Sequence, residues 1–320
     1  MDLIYADENK DEIGILIDCS FDLAFGTDEN DFTLTVAITD NCCSGGYWIY
    51  VEGTEYGGTI DDQKVDTEQK RIVYHGRTFQ GILEKKVIEP DTGEDYLIVS
   101  GDANRVLENI IQKLDLMDVF AAKQEDAELD ITNYQFERYT KGYQGICDML
   151  NTIGAKLHIE WHDGKAILSA LPISNYTDEE LDSDHISFVI KKHFKAVNHL
   201  ICLGTGNLKE RQIIHLYMDG EGNVTKEQFY FGKDEIEEVY DYPNAESLEE
   251  LEKYGIRRLK ELNEKDDMQL NLNDSYSFDI GDIVTASEIT TGITLTRVIK
   301  KKIVTIKKGI LKVDYKVGEK

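Results

Sequence analysis

The chain has 320 residues, of which 62 are acidic and 35 are basic, giving a formal net charge of −27. A surface this acidic repels phosphate backbones and anionic lipids, so the composition argues against sequence-specific nucleic-acid binding and against membrane-surface binding. With 41% hydrophobic residues the chain has enough apolar material for folded cores, and its length predicts more than one packed unit.

The N-terminus and the cysteines predict a protein made and folded in a reducing cytosol. The opening MDLIYADENKDE lacks the basic and apolar regions of a secretory signal. No apolar run is long enough to span a bilayer. The five cysteines are scattered and odd in number, which is not typical of a disulfide framework: Cys19, Cys42, Cys43, Cys147 and Cys202.

Residues 1–95 are rich in predicted strands. In DFTLTVAI the apolar residues alternate, which predicts a half-buried strand, and GGYWIYVEG and YGGTI predict further short strands. Turn signals occur at residues 75–76 and 90–93. Because no helical pattern separates these segments, they favour a barrel or a sandwich over alternating strand–helix units.

Residues 96–175 predict a small α+β unit. Helical apolar stripes occur in DANRVLENIIQKLDL and in GYQGICDMLNTIG, where Gly154 is placed to end the helix. The segment AKLHIEWHDGKAILSAL then alternates on both sides of Asp163-Gly164, the favoured dipeptide of a two-residue hairpin turn.

Residues 186–235 and 268–320 predict a second β unit. An acidic connector, YTDEELDSDH, precedes strands in ISFVIKK, VNHLICLG and RQIIHLYM. A helix is predicted at 246–265, where Ser247 and Glu250 form a capping box and Gly255 lowers the helix propensity. From Arg297 onward there are nine basic and two acidic residues, so this end carries +7 and the preceding residues carry −34.

HIEWH is the strongest candidate for a metal site. His158, Glu160 and His162 are predicted to share one strand face, and a histidine–carboxylate–histidine row is a possible zinc site. The spacing differs from the H-E-x-x-H of metalloproteases, and neither a third histidine nor a cysteine ligand can be identified. A solvated strand face is therefore the favoured interpretation.

Three other motifs depart from the patterns that they resemble. Gly204-Thr205-Gly206 has Lys209 where a dinucleotide fingerprint has its third glycine, so a hairpin turn is favoured. Cys42-Cys43 lacks the C-x-x-C spacing. DEELDSD has the spacing of a calcium-binding loop, but Ser183 stands where the loop needs glycine and Val189 where it needs glutamate. A solvated linker is therefore favoured for its carboxylates: Asp178, Glu180, Asp182 and Asp184. We predict no catalytic, cofactor-binding or metal site.

Several phrases occur in an order and spacing that resemble a known family. They are DFTLTV, GGTI with YHGRTFQGIL, VSGDANRVLENII, GAKLHIEWHDGKAILSAL, HLICLGTGNLKER and FDIGDIVTASEITTGI with VIKKKIVTI and GILKVDYKVGE. In these the chain resembles the siphovirus Gp37-like tail proteins, relatives of the baseplate hub proteins of phages, prophages and tail-like particles of Gram-positive bacteria. The resemblance extends from about residue 31 to residue 319.

The resemblance implies an α+β, β-rich hub fold and a structural function, with no enzymatic activity and no cofactor. Two tube-like β-barrel domains, with α+β domains inserted or peripheral, would form a trimeric ring at the distal end of the tail tube and connect it to the tail tip. The implied partners are further copies of the chain and other tail proteins: the tail tube or distal tail protein, the tape-measure protein and the tail spike or tip. The location would be the virion tail, with DNA passing through the channel. Since the chain stops after its last β unit, we expect any cell-wall-cutting activity to belong to another polypeptide.

The basic C-terminal strand is a candidate assembly interface. We expect its lysine ladder to face an acidic surface of a neighbouring subunit or tail protein: Lys300, Lys301, Lys302, Lys307 and Lys308. The alternative is an edge strand whose lysines block aggregation. The acidic remainder of the chain is expected to line part of the channel and to repel passing DNA.

Two other classes of function stay open from sequence. A cell-wall hydrolase would use carboxylates such as Glu160 and Asp163 as acid and base. A carbohydrate-binding module for host attachment would use exposed tyrosines together with Trp48 or Trp161. Aromatic side chains are more often buried in the core than exposed as sugar platforms.

Overall fold

The computed structural model describes residues 1–182, 187–191, 196–263, 267–271, 277–288 and 290–318. The chain divides into two compact units, unit 1 (residues 1–188 and 269–318) and unit 2 (residues 189–268). Strands and helices are numbered along the whole chain.

The strands of unit 1 are β1 (Leu3–Ala6), β2 (Glu12–Leu16), β3 (Cys19–Gly26), β4 (Asp31–Ala37), β5 (Trp48–Tyr50), β6 (Gly57–Asp66), β7 (Arg71–Thr78), β8 (Val87–Ile88), β9 (Ile98–Asp102), β10 (Phe120–Ala122), β11 (Asp130–Gln135), β12 (Thr140–Lys141), β13 (Ala155–His162), β14 (Lys165–Pro172), β15 (Asn175–Asp182), β22 (Ile283–Glu288), β23 (Ile293–Lys307) and β24 (Ile310–Gly318). The strands of unit 2 are β17 (His199–Leu203), β18 (Ile213–Met218), β19 (Val224–Thr225) and β20 (Glu237–Asp241), and the unit boundaries fall within β16 (Ser187–Lys191) and β21 (Asp267–Asn271). The helices are α1 (Phe79–Glu84), α2 (Ala103–Lys113), α3 (Gly142–Asn151) and α4 (Leu248–Asn263), with short 3₁₀ helices at Ile38–Asp40, Leu208–Glu210 and Gly232–Asp234.

One large sheet in unit 1 joins strands from both ends of the chain. Its neighbours run in the order β21-β24-β23-β3-β4-β7-β6-β5-β1-β2, with β22 also beside β23 and β15 beside β22. β23 pairs antiparallel with β3, and Val304 lies opposite Leu23. The N-terminal and C-terminal strands therefore share a core that contains Phe21, Phe32 and Ile306.

The alternation predicted at the start of the chain is confirmed, with three corrections. Residues 75–76, predicted as a turn, lie within β7. Phe32, Leu34 and Val36 are buried in β4, whereas Ile38 already belongs to a 3₁₀ helix. Residues 1–95 also contain the helix α1, which the sequence analysis missed. Its N-terminus is capped because the Thr78 hydroxyl accepts a hydrogen bond from the Gly81 backbone N–H.

A second layer of unit 1 is formed by α2, α3 and the β13–β14 hairpin. Both predicted helices are confirmed, with Ile110 and Ile146 among their buried residues, and Gly154 has a φ of 69° after α3. The hairpin turn is confirmed as well. Asp163 and Gly164 have φ values of 49° and 77°, which a primed two-residue turn requires.

Unit 2 is a four-stranded sheet in the order β19-β18-β17-β20 with α4 packed against it. The predicted capping of α4 is confirmed, because the Glu250 backbone N–H donates to the Ser247 hydroxyl at 3.1 Å. Gly255 allows a close helix–sheet approach, since a Cβ there would lie 2.6 Å from the Cys202 Sγ and 2.7 Å from a Leu216 methyl.

Two general features complete the fold. It is β-rich with few helices, as predicted. Among the described helices, none has both the length and the apolar character that crossing a bilayer requires.

Candidate functional site

Four lysines of the predicted ladder lie on β23, inside the large sheet, and Lys308 lies in the turn that follows it. β23 pairs with β24 on one side and, over residues 301–307, with β3 on the other, so the edge-strand alternative is wrong for this segment. Its lysines have different surroundings. Lys301 and Lys302 are buried, Lys300 is half-buried, and Lys307 and Lys308 are exposed.

Lys302 is held by two carboxylates of unit 1. Its side chain is 2% exposed, and its ammonium donates to Glu55 and, at 3.1 Å, to Asp279. The neighbouring Lys301 pairs with Glu29. Both ammonium groups are therefore already paired within the chain.

Lys156 on β13 extends the same set of ion pairs. Its ammonium lies 2.7 Å from Asp282 Oδ1 and 2.8 Å from Asp279 Oδ2. Asp282 also accepts hydrogen bonds from the backbone N–H groups of Ser174 and Asp279. Asp279 thus bridges two buried lysines, and we call Lys156, Lys302, Glu55, Asp279 and Asp282 the buried ion-pair network.

The electrostatics of this network favour the charged forms of Asp279 and Lys302. Burial raises the pKa of Asp279, but the ammonium groups of Lys302 and Lys156 outweigh that effect and bring this pKa down to about 2. Burial lowers the pKa of Lys302, and the carboxylates of Glu55 and Asp279 raise it overall. Removing one partner of such a pair leaves an uncompensated buried charge, so the network fixes the packing of β13, β23 and residues 277–282.

The HIEWH row lies at the edge of this network, on the predicted strand. Ile159 and Trp161 are buried, whereas His158, Glu160 and His162 lie on the opposite, more exposed face. His158 Nε2 lies 3.0 Å from Glu160 Oε1, and His162 Nε2 lies 3.3 Å from Glu160 Oε2. Hydrogen bonding from His158 lowers the pKa of Glu160, with burial opposing it.

These surroundings do not suit Glu160 as a general acid or the two tryptophans as sugar platforms. A general acid needs a raised pKa, whereas the pKa of Glu160 is lowered. Trp48 and Trp161 are buried, and their rings stack on each other with centroids 5.4 Å apart. Neither tryptophan therefore offers a free face to a sugar ring.

The structure also places the three other motifs that the sequence analysis considered. Residues 204–206 form part of the connection between the antiparallel strands β17 and β18, which confirms a hairpin connection in place of a dinucleotide loop. Cys42 and Cys43 are free, with sulfur atoms 3.6 Å apart. The backbone of residues 175–182 forms β15 where a connector was predicted, and Asp184 lies outside the described residues.

Unit 2 contains a cluster that the sequence analysis missed. His199 begins β17 and lies opposite Glu237 of β20 in a parallel register, and Glu235 approaches the same imidazole. The ligand atoms of these three residues lie within 4.8 Å of one another. Parallel pairing between segments so far apart leaves no local signal in a sequence, so spacing alone does not reveal this cluster.

The outer strand β2 presents apolar side chains. In the described part of the chain it pairs only with β1. Ile13, Ile15 and Ile17 are 48%, 49% and 73% exposed. An edge strand with exposed β-branched residues is suited to pairing with another chain.

Unit 1 also has an acidic cleft of about 400 Å³ between β4, β6, β7 and α1. Arg77 forms a two-pronged ion pair with Asp61 at its wall. The cleft is lined mainly by carboxylates, which disfavours an anionic ligand: Asp28, Glu29, Asp31, Asp61, Asp62 and Glu84.

Solved structures share this architecture over the whole chain. The 43 kDa tail protein of prophage MuSo2 from Shewanella oneidensis is 9% identical with a TM-score of 0.55, covering 100% of this chain and 98% of that chain. The tail protein from Neisseria meningitidis MC58 is 12% identical with a TM-score of 0.51, covering 99% and 96%. At these identities the similarity is one of fold: this chain has the fold of these two tail proteins.

Comparison of the sequence alone gives no further relatives. No protein-family model matches the chain, and no curated protein matches it.

Proposed function

We propose that the chain is a structural component of a phage tail or of a phage-derived particle, acting as a hub that connects the tail tube to the tail tip. The observation that carries this proposal is the similarity of fold to two tail proteins over almost the full length of all three chains. In this function the protein acts by shape and assembly and performs no bond chemistry. Membership of the Gp37-like family is part of the proposal.

The proposed assembly is a trimeric ring. Each subunit would contribute two tube-like β domains, drawn from residues 1–95 and from residues 186–235 with 268–320, and the pairing of β23 with β3 would join them. Residues 96–175 would lie outside the tube. Three subunits would then match a six-fold tube. The proposed partners are the tail tube or distal tail protein, the tape-measure protein and the tail spike or tip, and the proposed location is the virion tail.

We place two contact surfaces on this ring. The first is the edge of β2, where Ile13 and Ile15 would meet a second copy of the chain, because pairing would cover both their apolar surface and the open edge. The second consists of the accessible lysines of the predicted ladder, Lys300, Lys307 and Lys308, facing acidic groups of a neighbour. Lys301 and Lys302 are left out of this surface because their ammonium groups are paired inside unit 1.

Electron microscopy of the purified protein tests the proposed ring. Negative-stain images are expected to contain three-fold particles with a central hole. The double variant I13K/I15K, which puts charge on the proposed contact, is expected to give single subunits, and K64E/K70E is a matched control because both lysines are exposed and lie outside either proposed surface. If wild-type protein forms closed particles without a hole, or clears a suspension of cell walls, the proposed function is wrong.

The charge-reversed variant K300E/K307E/K308E tests the lysine surface separately. It is expected to assemble less well at low salt, with the difference shrinking as salt is added. Equal assembly of this variant and wild type would exclude the lysine surface while leaving the β2 contact intact.

A further inference from the structure

The His199 cluster brings both nitrogens of one buried imidazole within hydrogen-bonding distance of other titratable side chains. The Nδ1 atom of His199 lies 2.8 Å from Glu235 Oε1 and 3.1 Å from Glu237 Oε1. The Nε2 atom lies 2.8 Å from Nδ1 of His215. A neutral imidazole carries one proton, so it donates to the carboxylates or to His215, but not to both.

The surroundings hold this arrangement in place. The His199 side chain is 6% exposed, and its ring stacks on Tyr217 with centroids 4.3 Å apart. The Gln228 amide donates to Glu235 Oε1 at 2.7 Å. The Gln228 amide is uncharged, so this hydrogen bond does not neutralise the Glu235 carboxylate.

We propose that His199, Glu235 and Glu237 bind a divalent transition-metal ion of the zinc class. One imidazole nitrogen and two carboxylate oxygens are donors that zinc prefers, and three protein ligands leave a fourth position for water. With the ion on Nδ1, the single proton of His199 resides on Nε2 and donates to His215. In this assignment the ion holds the two carboxylates, and the Nε2 proton of His199 is donated to His215 Nδ1.

The two histidine–carboxylate separations are close to what the ion requires. Ligands about 2.0–2.1 Å from a tetrahedral zinc ion are about 3.3 Å apart. The observed separations from His199 Nδ1, 2.8 Å and 3.1 Å, need to open by only a few tenths of an ångström. Because Glu237 is 57% exposed, its side chain has room to make that adjustment.

The ion would join three segments that are distant in sequence. His199 lies on β17, Glu237 begins β20, and Glu235 follows the short 3₁₀ helix Gly232–Asp234. A common ligand therefore fixes the parallel β17–β20 pairing and the connection that leads into β20. This inference concerns unit 2 alone and does not depend on the proposed role in a tail.

Titration of the metal-free, tag-free full chain with zinc chloride tests the site. Calorimetry and native mass spectrometry are expected to give a site occupied once per chain, which E237Q weakens by about 10-fold or more. E237Q is preferred to a His199 variant because Glu237 is exposed and the substitution preserves its shape. E238Q, on the adjacent exposed position of β20, is the matched control and is expected to bind like wild type.

Two further measurements locate the ion. Zinc is expected to slow amide hydrogen exchange in β17 and β20 of wild type but not of E237Q. H162Q removes a histidine of the HIEWH row in unit 1 and is expected to leave the zinc affinity unchanged. The inference is overturned if wild type takes up no zinc at about 100 μM free ion, a weak range for a protein zinc site. It is also overturned if E237Q binds as tightly as wild type, or if H162Q and not E237Q removes the binding.

Discussion

The two units handle buried charge in opposite ways. In unit 1 the ammonium groups of Lys156 and Lys302 each contact two carboxylates. The Asp282 carboxylate also accepts hydrogen bonds from two backbone N–H groups. In unit 2 two carboxylates converge on one nitrogen of His199. In unit 1 Asp279 lies between two ammonium groups, whereas in unit 2 Glu235 and Glu237 share one imidazole nitrogen.

This difference separates charges that stabilise a fold from charges that are available to a ligand. A buried pair costs several kcal/mol when one partner is removed, because the other charge is left without compensation. Removing one carboxylate from the cluster around His199 should change the stability little, because Glu237 is partly exposed. The same carboxylates are available to bind a cation when one is present. The core of unit 2 consists instead of apolar contacts between α4 and its sheet.

The largest expected effect comes from Lys302→Met in unit 1. Removing this ammonium leaves Glu55 and Asp279 partly uncompensated, and we expect the free energy of unfolding to fall by about 3–5 kcal/mol. Both tryptophans lie in unit 1, so tryptophan fluorescence during urea unfolding follows this unit. The exposed Lys307→Met is the matched control, expected within about 0.5 kcal/mol of wild type. A similarly small effect of Lys302→Met would show that the network does not stabilise unit 1.

Acid is expected to weaken the same network over a defined pH range. The pKa of Asp279 is about 2 in the folded chain against an ordinary value of 3.8, so its stabilisation is present above about pH 4 and is lost as the pH falls toward 2. We expect Asp279→Asn to cost about 2 kcal/mol at neutral pH. The gap between variant and wild type should close in acid, as followed by urea unfolding at a series of pH values. A gap that is independent of pH would contradict this assignment.

Gly255→Ala tests the apolar packing of unit 2. Alanine favours a helix over glycine by about 1 kcal/mol, but the new methyl group would meet Cys202 and Leu216 at 2.6–2.7 Å. Overpacking costs about 1–3 kcal/mol, so we expect a net loss of about 1 kcal/mol. Faster amide exchange in α4, with unchanged tryptophan fluorescence, would identify the effect. The double variant C202A/G255A should recover part of the loss, and stabilisation by Gly255→Ala alone would contradict the close contact.

The smallest effect is expected for Glu237→Gln without metal. Its carboxylate is 57% exposed, so the loss of its contact with His199 should change stability by less than about 0.5 kcal/mol. Amide exchange in β20 measures this directly in chelator-treated protein. A loss of stability as large as that expected for Lys302→Met would show that the His199 cluster stabilises its unit as strongly as the buried ion-pair network does, and would contradict the comparison.

Local patterns predicted much of this fold. The stripe of α2, the capping of α4 by Ser247 and the Asp163-Gly164 turn all depend on residues close together in sequence, and the structure confirms each of them. The short helix α1 was missed because its six residues are too few to establish a helical period.

Long-range pairing could not be predicted in this way. β23 was recognised as a strand, but its place between β24 and β3 depends on contacts between the two ends of the chain. That placement buries Lys302, which from sequence was indistinguishable from the exposed Lys307. The register that brings His199 beside Glu237 is likewise set by tertiary structure.

Light scattering on the purified full-length protein tests the central claim, self-assembly into a hub, most directly. At micromolar concentration we expect a molar mass three times the chain mass of 36.5 kDa, and one chain mass for I13K/I15K. A wild-type mass equal to a single chain at every concentration up to the solubility limit would contradict the account.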